Sequence, residues 1–221
     1  IDLERAIYQS CNTYFSHIAV ELGIDKIHDY LLTWGFGRNE ALDVPEAAVG
    51  IVPSPEWKRE NKGLPWYPGE TLITGIGQGF TQVTALQLAR ATATLANRGN
   101  IVTPFLADRI IHSNVTLPGQ HKAGQTIKLN SQNIDNIISA MINVVHGLRG
   151  TATSIGKDVP YQIAGKTGTA QVFSVKQEEK YDEEEIKFKL RDYALFISFA
   201  PADNPKIAVA VIVENGGHGG S

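Results

Sequence analysis

The residue types best suited to chemistry stand far apart in this chain. Lys166-Thr167-Gly168-Thr169 falls in a segment with strand patterning, Tyr161 to Phe173. Alternation along a strand puts Lys166 and Gly168 on one face and Thr167 and Thr169 on the other. A lysine, two hydroxyls and the backbone N–H groups of such a strand could hold a carboxylate or an oxyanion, and a glycine lets a ligand approach the backbone. The same residues also read as a strand lysine beside a glycine-containing bend. The second cluster is Ser10-Cys11-Asn12, within helical patterning. Ser10 and Asn12, two apart, do not share a face of a regular helix, so both reach one site only where the helix is interrupted or ends. In an unbroken helix they are ordinary polar residues with solvent or backbone partners.

Both clusters need elements to position them. Leu3, Ile7, Phe15, Ile18, Ala19 and Leu22 recur near every 3.6 residues, which predicts a helix over 2–22 ended by Gly23. Ile27, Leu31 and Leu32 predict a shorter helix over 24–34. From 38 to 79, Pro45, Pro53, Pro55, Pro65 and Pro68 break both helix and sheet patterns, which predicts a long surface connection. Trp57, Trp66 and Tyr67 argue that it is ordered and packed on the core. An alanine-rich helix is predicted over 84–97, short strands and turns over 101–129, and an amphipathic helix over 130–147. The stripe of that last helix runs through Ile134, Ile137, Ile138, Met141, Val144, Val145 and Leu148. Strands are predicted at 161–173, 192–200 and 206–214, the last two nearly continuous in apolar residues, as buried strands are. The charge run in 174–190 reads as a solvated insertion beside the Lys166 strand, placed where it could overhang a cleft. Helices followed by consecutive strands predict an α+β fold, an antiparallel sheet flanked by helices.

Composition excludes several classes of function. The 221 residues are 43% hydrophobic, enough for one sizeable core. With 20 basic and 23 acidic residues the net charge is −3, which gives no electrostatic footprint for nucleic acid or an anionic membrane. The longest apolar run, Ile207 to Val213, is far short of the roughly 20 residues a membrane span needs. The single cysteine, Cys11, excludes an internal disulfide framework and a multi-cysteine zinc module. The chain opens Ile-Asp-Leu-Glu without methionine and closes Gly-Gly-His-Gly-Gly-Ser, so both ends read as cuts through a longer polypeptide.

Taken in order, Ser10-Cys11-Asn12 and Lys166-Thr167-Gly168 match the second and third elements that mark penicillin-binding proteins and class A β-lactamases. More of the chain is similar to the class B penicillin-binding proteins: Trp66-Tyr67-Pro68-Gly69-Glu70-Thr71, Gly75-Ile76-Gly77-Gln78-Gly79 followed by Thr84-Ala85-Leu86-Gln87-Leu88-Ala89, Ala96-Asn97-Arg98-Gly99 ahead of Pro104, and Gly150-Thr151-Ala152. The closing stretch from Val213 to Ser221 most resembles the elongation-specific, penicillin-binding protein 2 branch.

This resemblance implies a serine β-lactamase/transpeptidase-like fold. It implies acyl transfer by a serine nucleophile on a D-alanyl-D-alanine stem peptide, through a covalent acyl-enzyme that β-lactams trap. Catalytic roles are implied for Ser10, Asn12, Lys166 and Thr169. Lys166 holds positive charge and orders the proton network around Ser10, and Ser10 passes a proton to the leaving amine. Asn12 binds the substrate's side-chain amide, and the backbone N–H of Thr169 is one donor of the oxyanion hole. Thr167, Gly168 and Thr169 form the substrate-binding strand, with both hydroxyls receiving the terminal carboxylate. No cofactor is required for this chemistry.

The family's nucleophile motif, Ser-x-x-Lys, must precede Ser10. The literal match Ser154-Ile155-Gly156-Lys157 follows Ser10 and contains a helix-weakening glycine, so it is read as a chance match. The nucleophile is therefore expected ahead of Ile1 and a closing helix after Ser221. Residues 1–221 are then the C-terminal part of one transpeptidase domain, inactive by itself.

Cys11 on its own reads as a small buried hydrophobe. In the penicillin-binding protein 2 branch a cysteine at this place belongs to a metal site whose aspartate and histidine ligands lie upstream. The resemblance therefore implies a structural zinc through Cys11. His218, between glycine pairs, reads as a turn residue rather than a base. Trp66 and Tyr67 read as loop packing or as a stacking surface. The implied partners are peptidoglycan stem peptides, β-lactam antibiotics, a glycan-polymerising membrane protein and the cell-elongation machinery. The implied place is the bacterial inner membrane, facing the periplasm, with an upstream anchor. A D,D-carboxypeptidase, in which water accepts the acyl group, and a non-catalytic β-lactam or peptidoglycan sensor stay open.

Overall fold

The computed structural model of the protein describes residues 1–41, 43–107, 124–171 and 191–220, and the backbone of 109–112 and 115–118. Its first predicted helix is two. Helix α1 (Leu3–Tyr8) opens at Asp2, whose side chain accepts from Arg5 N, and α2 (Asn12–Leu22) ends at Gly23. Between them Ser10 N donates to Ile7 O and Cys11 N to Ala6 O, closing α1 through Ser10 in the left-handed region at φ 54°. Periodicity bridged this break because its apolar residues stay in phase on both sides. Helix α3 (Ile24–Thr33) follows directly.

The proline-rich connection holds two helices that the sequence pattern did not show. Both start on proline, α4 (Pro55–Lys62) and α5 (Pro68–Thr74). The first turn of a helix leaves its N–H groups unpaired, so a residue that breaks a helix interior can begin one. Ser54 caps α4 by accepting from Trp57 N, and Glu70 accepts from Tyr67 N at the start of α5. Buried Lys58 ties the two helices together: its Nζ lies 2.5 Å from Glu70 Oε1 and 4.1 Å from the centre of the Tyr67 ring. Trp66 Nε1 donates to Thr71 Oγ1. The connection is ordered, and its aromatic residues serve its own packing.

Helix α6 (Ala85–Ala96) opens on a reciprocal cap, Thr84 with Gln87, and α7 (Ser131–His146) on Asn130, which accepts from Asn133 N. Between them lies a hairpin, β1 (Arg109–His112) with β2 (Val115–Pro118). Strands β3 (Ala164–Ala170), β4 (Tyr193–Ala200) and β5 (Ile207–Val213) form an antiparallel sheet in that order, Gly168 opposite Leu195 and Phe196 opposite Val211. Strand β3 starts at Ala164, later than predicted, and runs to Ala170; residues 172 and 173 of the predicted range lie outside the described residues. The charged run 174–190 lies outside the described residues.

The core forms where α7 meets the sheet. Ile134, Ile138 and Met141 pack with Ala164, Phe199 and Ala202, while Val144 and Val145 pack with Ala152 and Ile163. Leu95 and Ala96 of α6 join the same cluster, so both helices cover one face of the sheet. Leu148, assigned to the stripe by spacing, instead follows the Gly147 cap and is fully exposed. On β5 the run of apolar residues is two-sided: Ala208 packs inward, whereas Ile207, Val209, Val211 and Val213 are exposed among the described residues. The architecture is the expected α+β arrangement of helices on an antiparallel sheet. No helix among the described residues is long and apolar enough to cross a membrane.

Candidate active site

Two backbone devices unite the separated clusters. The first is the break at Ser10. A left-handed conformation costs a non-glycine residue roughly 1–2 kcal/mol, and sparsely populated backbone of this kind concentrates at functional sites. Here it ends α1, leaves Cys11 extended as the cap of α2, and starts α2 at Asn12. Ser10 and Asn12 consequently border the same cleft, of about 700 Å³. The spacing had allowed this only for an interrupted helix, and the helix is interrupted there.

The second device is the position of β3 at the margin of the described sheet. Lys166 Nζ donates to Ser10 Oγ at 2.5 Å and to Thr167 O at 2.7 Å. Thr167 Oγ1 is 2.8 Å from Thr151 Oγ1, and Thr169 Oγ1 accepts from Gly219 N at 3.5 Å. Alternation separates the lysine from the threonines by face, yet all of them border one cleft. The four-carbon stem of Lys166 carries its ammonium round to the edge that the threonine hydroxyls flank. The site is therefore built along a strand edge rather than on either face.

Burial pushes Lys166 down to about 8 from an ordinary 10.5, because desolvation disfavours the ammonium. At neutral pH the group remains a cation, but one that loses its proton more readily than a surface lysine. Since Lys166 donates into Ser10 Oγ, the Ser10 hydroxyl proton points elsewhere. The serine can thus receive from the lysine and donate to a further group, the connectivity of a proton relay.

Glycines let the walls close in. A β-carbon at Gly219 would run into the carbonyl of Gly168, so the turn that brings His218 to the cleft requires glycine there. The space vacated at Gly168 faces Leu195, with a β-carbon position 3.3 Å from the leucine Cβ. Its small size serves the β3–β4 pairing as well as the cleft.

Two residues here had no individual role from sequence. Thr151 reaches Thr167, and Gln78 donates from Nε2 to Thr169 O at 2.5 Å while Oε1 accepts from Gln171 N at 3.3 Å. Both lie in motifs the sequence displayed, but no local periodicity says that those motifs meet β3. Trp66 and Tyr67 do not border the cleft. Ser154 to Lys157 lies in turns, so its lysine is not stacked one helical turn from its serine. Around Cys11, which is partly exposed, the described residues contain no group of three His, Cys, Asp or Glu side chains able to hold a metal. The described residues alone do not build a zinc site; the further ligands that the resemblance implies are expected upstream of this sequence.

The family pattern described as the penicillin binding protein transpeptidase domain matches residues 1–221. Peptidoglycan D,D-transpeptidase MrdA of Acinetobacter baumannii is 41% identical over 223 residues, an alignment that covers 100% of this chain and 33% of that protein. The chain therefore spans about a third of the length of that relative. Pseudomonas aeruginosa PBP2, solved in complex with WCK 5153, superposes with a TM-score of 0.85 at 45% identity, over 100% of this chain and 46% of that one. PBP2 of Helicobacter pylori, solved in complex with MreC, gives 0.83 at 30% identity, over 100% and 37%. A sequence pattern that runs through all 221 residues, on a fold these solved structures share, makes the chain a member of the penicillin-binding-protein transpeptidase domain family.

Proposed function

We propose that the intact protein is a peptidoglycan D,D-transpeptidase that cross-links stem peptides through a serine acyl-enzyme and is inhibited by β-lactams. The observation that carries this reading is the contact of Lys166 Nζ with Ser10 Oγ beside the hydroxyls of Thr167 and Thr169. Residues 1–221 are the C-terminal part of the catalytic domain, and the nucleophile is the serine of a Ser-x-x-Lys motif ahead of Ile1. That serine attacks the carbonyl carbon of the penultimate D-alanine. The bond to the terminal D-alanine nitrogen breaks, and the departing amine takes a proton through Ser10. An amine of a second stem peptide then attacks the ester carbonyl and releases the serine.

Each described residue has a part in those steps. Lys166 supplies positive charge and fixes the Ser10 oxygen. Asn12 binds the amide of the substrate side chain. The Thr169 N–H donates to the developing oxyanion, a contact typically worth about 2.7–4 kcal/mol of transition-state stabilisation. The hydroxyls of Thr167 and Thr169 receive the terminal carboxylate at the end of the cleft bordered by Gly219. None of these steps uses a cofactor.

The relatives support the proposed partners. A Helicobacter pylori relative solved with MreC supports an elongation-machinery partner for this protein, and a relative solved in a peptidoglycan synthase complex that coordinates polymerisation and crosslinking supports a glycan-polymerising membrane protein. The proposed place is the bacterial inner membrane, on its periplasmic face, through an anchor ahead of Ile1.

Labelling of the full-length protein with a fluorescent penicillin tests the reading. The expected adduct maps by mass spectrometry to the serine of a Ser-x-x-Lys motif ahead of Ile1. Labelling is expected to weaken in Ser10→Ala and Lys166→Ala. A protein that does not label, or that labels equally well after both substitutions, overturns the proposal.

A further inference from the structure

The cleft-facing edge of β3 already carries a partner. In an antiparallel pair, residues whose N–H and C=O point to the neighbouring strand alternate with residues whose groups point away. Thr167 O accepts from Lys166 Nζ and Thr169 O from Gln78 Nε2, so these two residues, and Gln171 by alternation, turn their peptide groups away from β4. The Gln78 carboxamide gives an N–H to Thr169 O and takes one from Gln171 N. It therefore presents one N–H and one C=O to the edge, as a residue of an added strand does. The loop holding it is anchored: a β-carbon at Gly75 would collide with Ala19 of α2, and Gly77 and Gly79 flank Gln78 with φ of 74° each.

We propose that Gln78 is a specificity-determining residue whose carboxamide stands in for a ligand amide on β3 and is displaced by acyl donors that bring an N–H to Thr169 O. The inference rests on the functional reading above, in which the Thr169 N–H holds the oxyanion. The N–H and C=O of one strand residue leave on the same side. A donor whose reacting carbonyl sits at Thr169 N therefore carries its acyl-side amide past Thr169 O, where Gln78 already bonds. A donor with an acylamide N–H exchanges one hydrogen bond for another. A donor without one has nothing to offer in exchange and leaves Gln78 in place. Gln78 thus weakens reaction with amide-bearing donors by the net value of one hydrogen bond and leaves others untouched.

The test is the second-order acylation rate constant of the full-length protein with two ligands. Benzylpenicillin carries an acylamide, and a carbapenem carries a hydroxyethyl group in its place. In Gln78→Ala the ratio of benzylpenicillin to carbapenem rate is expected to rise about two- to tenfold, the range set by a net hydrogen bond. Gln78→Glu keeps the shape and the bond from Gln171 N but cannot donate to Thr169 O as a carboxylate, so it is expected to raise the ratio too. Thermal unfolding accompanies both variants. An unchanged or lowered ratio, or equal losses with both ligands, overturns the inference and makes Gln78 a clamp for every donor alike. Failure of both variants to fold overturns it as well. A wild-type protein that reacts with neither ligand removes the functional reading itself, an outcome distinct from reaction with both ligands at an unaltered ratio.

Discussion

Lys58 and Lys166 are both withdrawn from water, Lys58 fully and Lys166 in part, and the groups that meet their ammonium ions differ. Lys58 meets the carboxylate of Glu70 at 2.5 Å and the face of Tyr67. Lys166 meets the oxygens of Ser10 and Thr167, which are neutral. A buried ammonium with a carboxylate is a clamp, because removing either partner leaves the other uncompensated. A buried ammonium held by neutral oxygens keeps its desolvation penalty, and its proton becomes labile: burial brings Lys166 down to about 8. One lysine fastens the connection between α4 and α5; the other brings an exchangeable proton to a serine. In the proposed function the choice of partner, rather than the extent of burial, separates the structural lysine from the one used in chemistry.

The largest effects are expected at Lys166. Lys166→Ala in the full-length protein is expected to slow acylation by fluorescent penicillin about 10²–10⁴-fold, the usual contribution of a positioned proton-transfer group. Its thermal midpoint is expected to hold or rise, since a desolvated ammonium is removed. Loss of folding instead would make Lys166 a clamp like Lys58. Conversely, Lys58→Met is expected to destabilise by about 1–3 kcal/mol in denaturant unfolding, through the stranded Glu70 carboxylate. Lys58→Met combined with Glu70→Gln, which removes the unpaired charge and keeps an oxygen to accept from Tyr67 N, is expected to recover much of that loss. The acylation rate of protein that remains folded should follow wild type in both.

The pH dependence sharpens the contrast. Above about 8 the folded protein loses the Lys166 proton, so acylation should fall about tenfold per pH unit until another group takes over. Lys166→Arg is expected to keep its charge and move that limb to higher pH. Stability runs the opposite way. The depressed pKa opposes folding below about 8, and the opposition eases as pH rises from about 8 towards 10.5, where the unfolded lysine also loses its proton. A rate profile flat from pH 7 to 10 would show that the charge on Lys166 does not matter. The smallest effect is expected for the stability of Ser10→Gly, within about 1 kcal/mol of wild type. Relief of the left-handed conformation there offsets the greater freedom of glycine in the unfolded chain. Labelling should nevertheless weaken, because the oxygen that Lys166 holds is gone.

Much of the scaffold was legible. The sheet strands, α3, α6 and α7 follow from periodicity and caps, since each is a local pattern buried on a predictable side. The hidden parts are those in which a residue type plays an uncommon part. Pro55 and Pro68 look like breakers until their place in a first turn is known, and Ser10 looks helical because nothing in its side chain announces a positive φ. The apolar run of β5 reads the same whether one face is covered or two, so the exposure of Val209 and Val211 could not be read from it.

The candidate site divides in the same way. The amino-acid sequence by itself determined the inventory: a Ser-x-Asn element, a Lys-Thr-Gly-Thr strand, and a motif order similar to that of one enzyme family. Only the tertiary structure decided that Lys166 reaches Ser10 around a strand edge, that Thr151 and Gly219 brace the two threonines, and that Gln78 already sits on the peptide groups of Thr169 and Gln171. Residue types and local periods are properties of short stretches of chain. A contact between residues 10 and 166 depends on how α1 settles on α7 and α7 on the sheet, a balance of packing over the whole core that no short stretch contains.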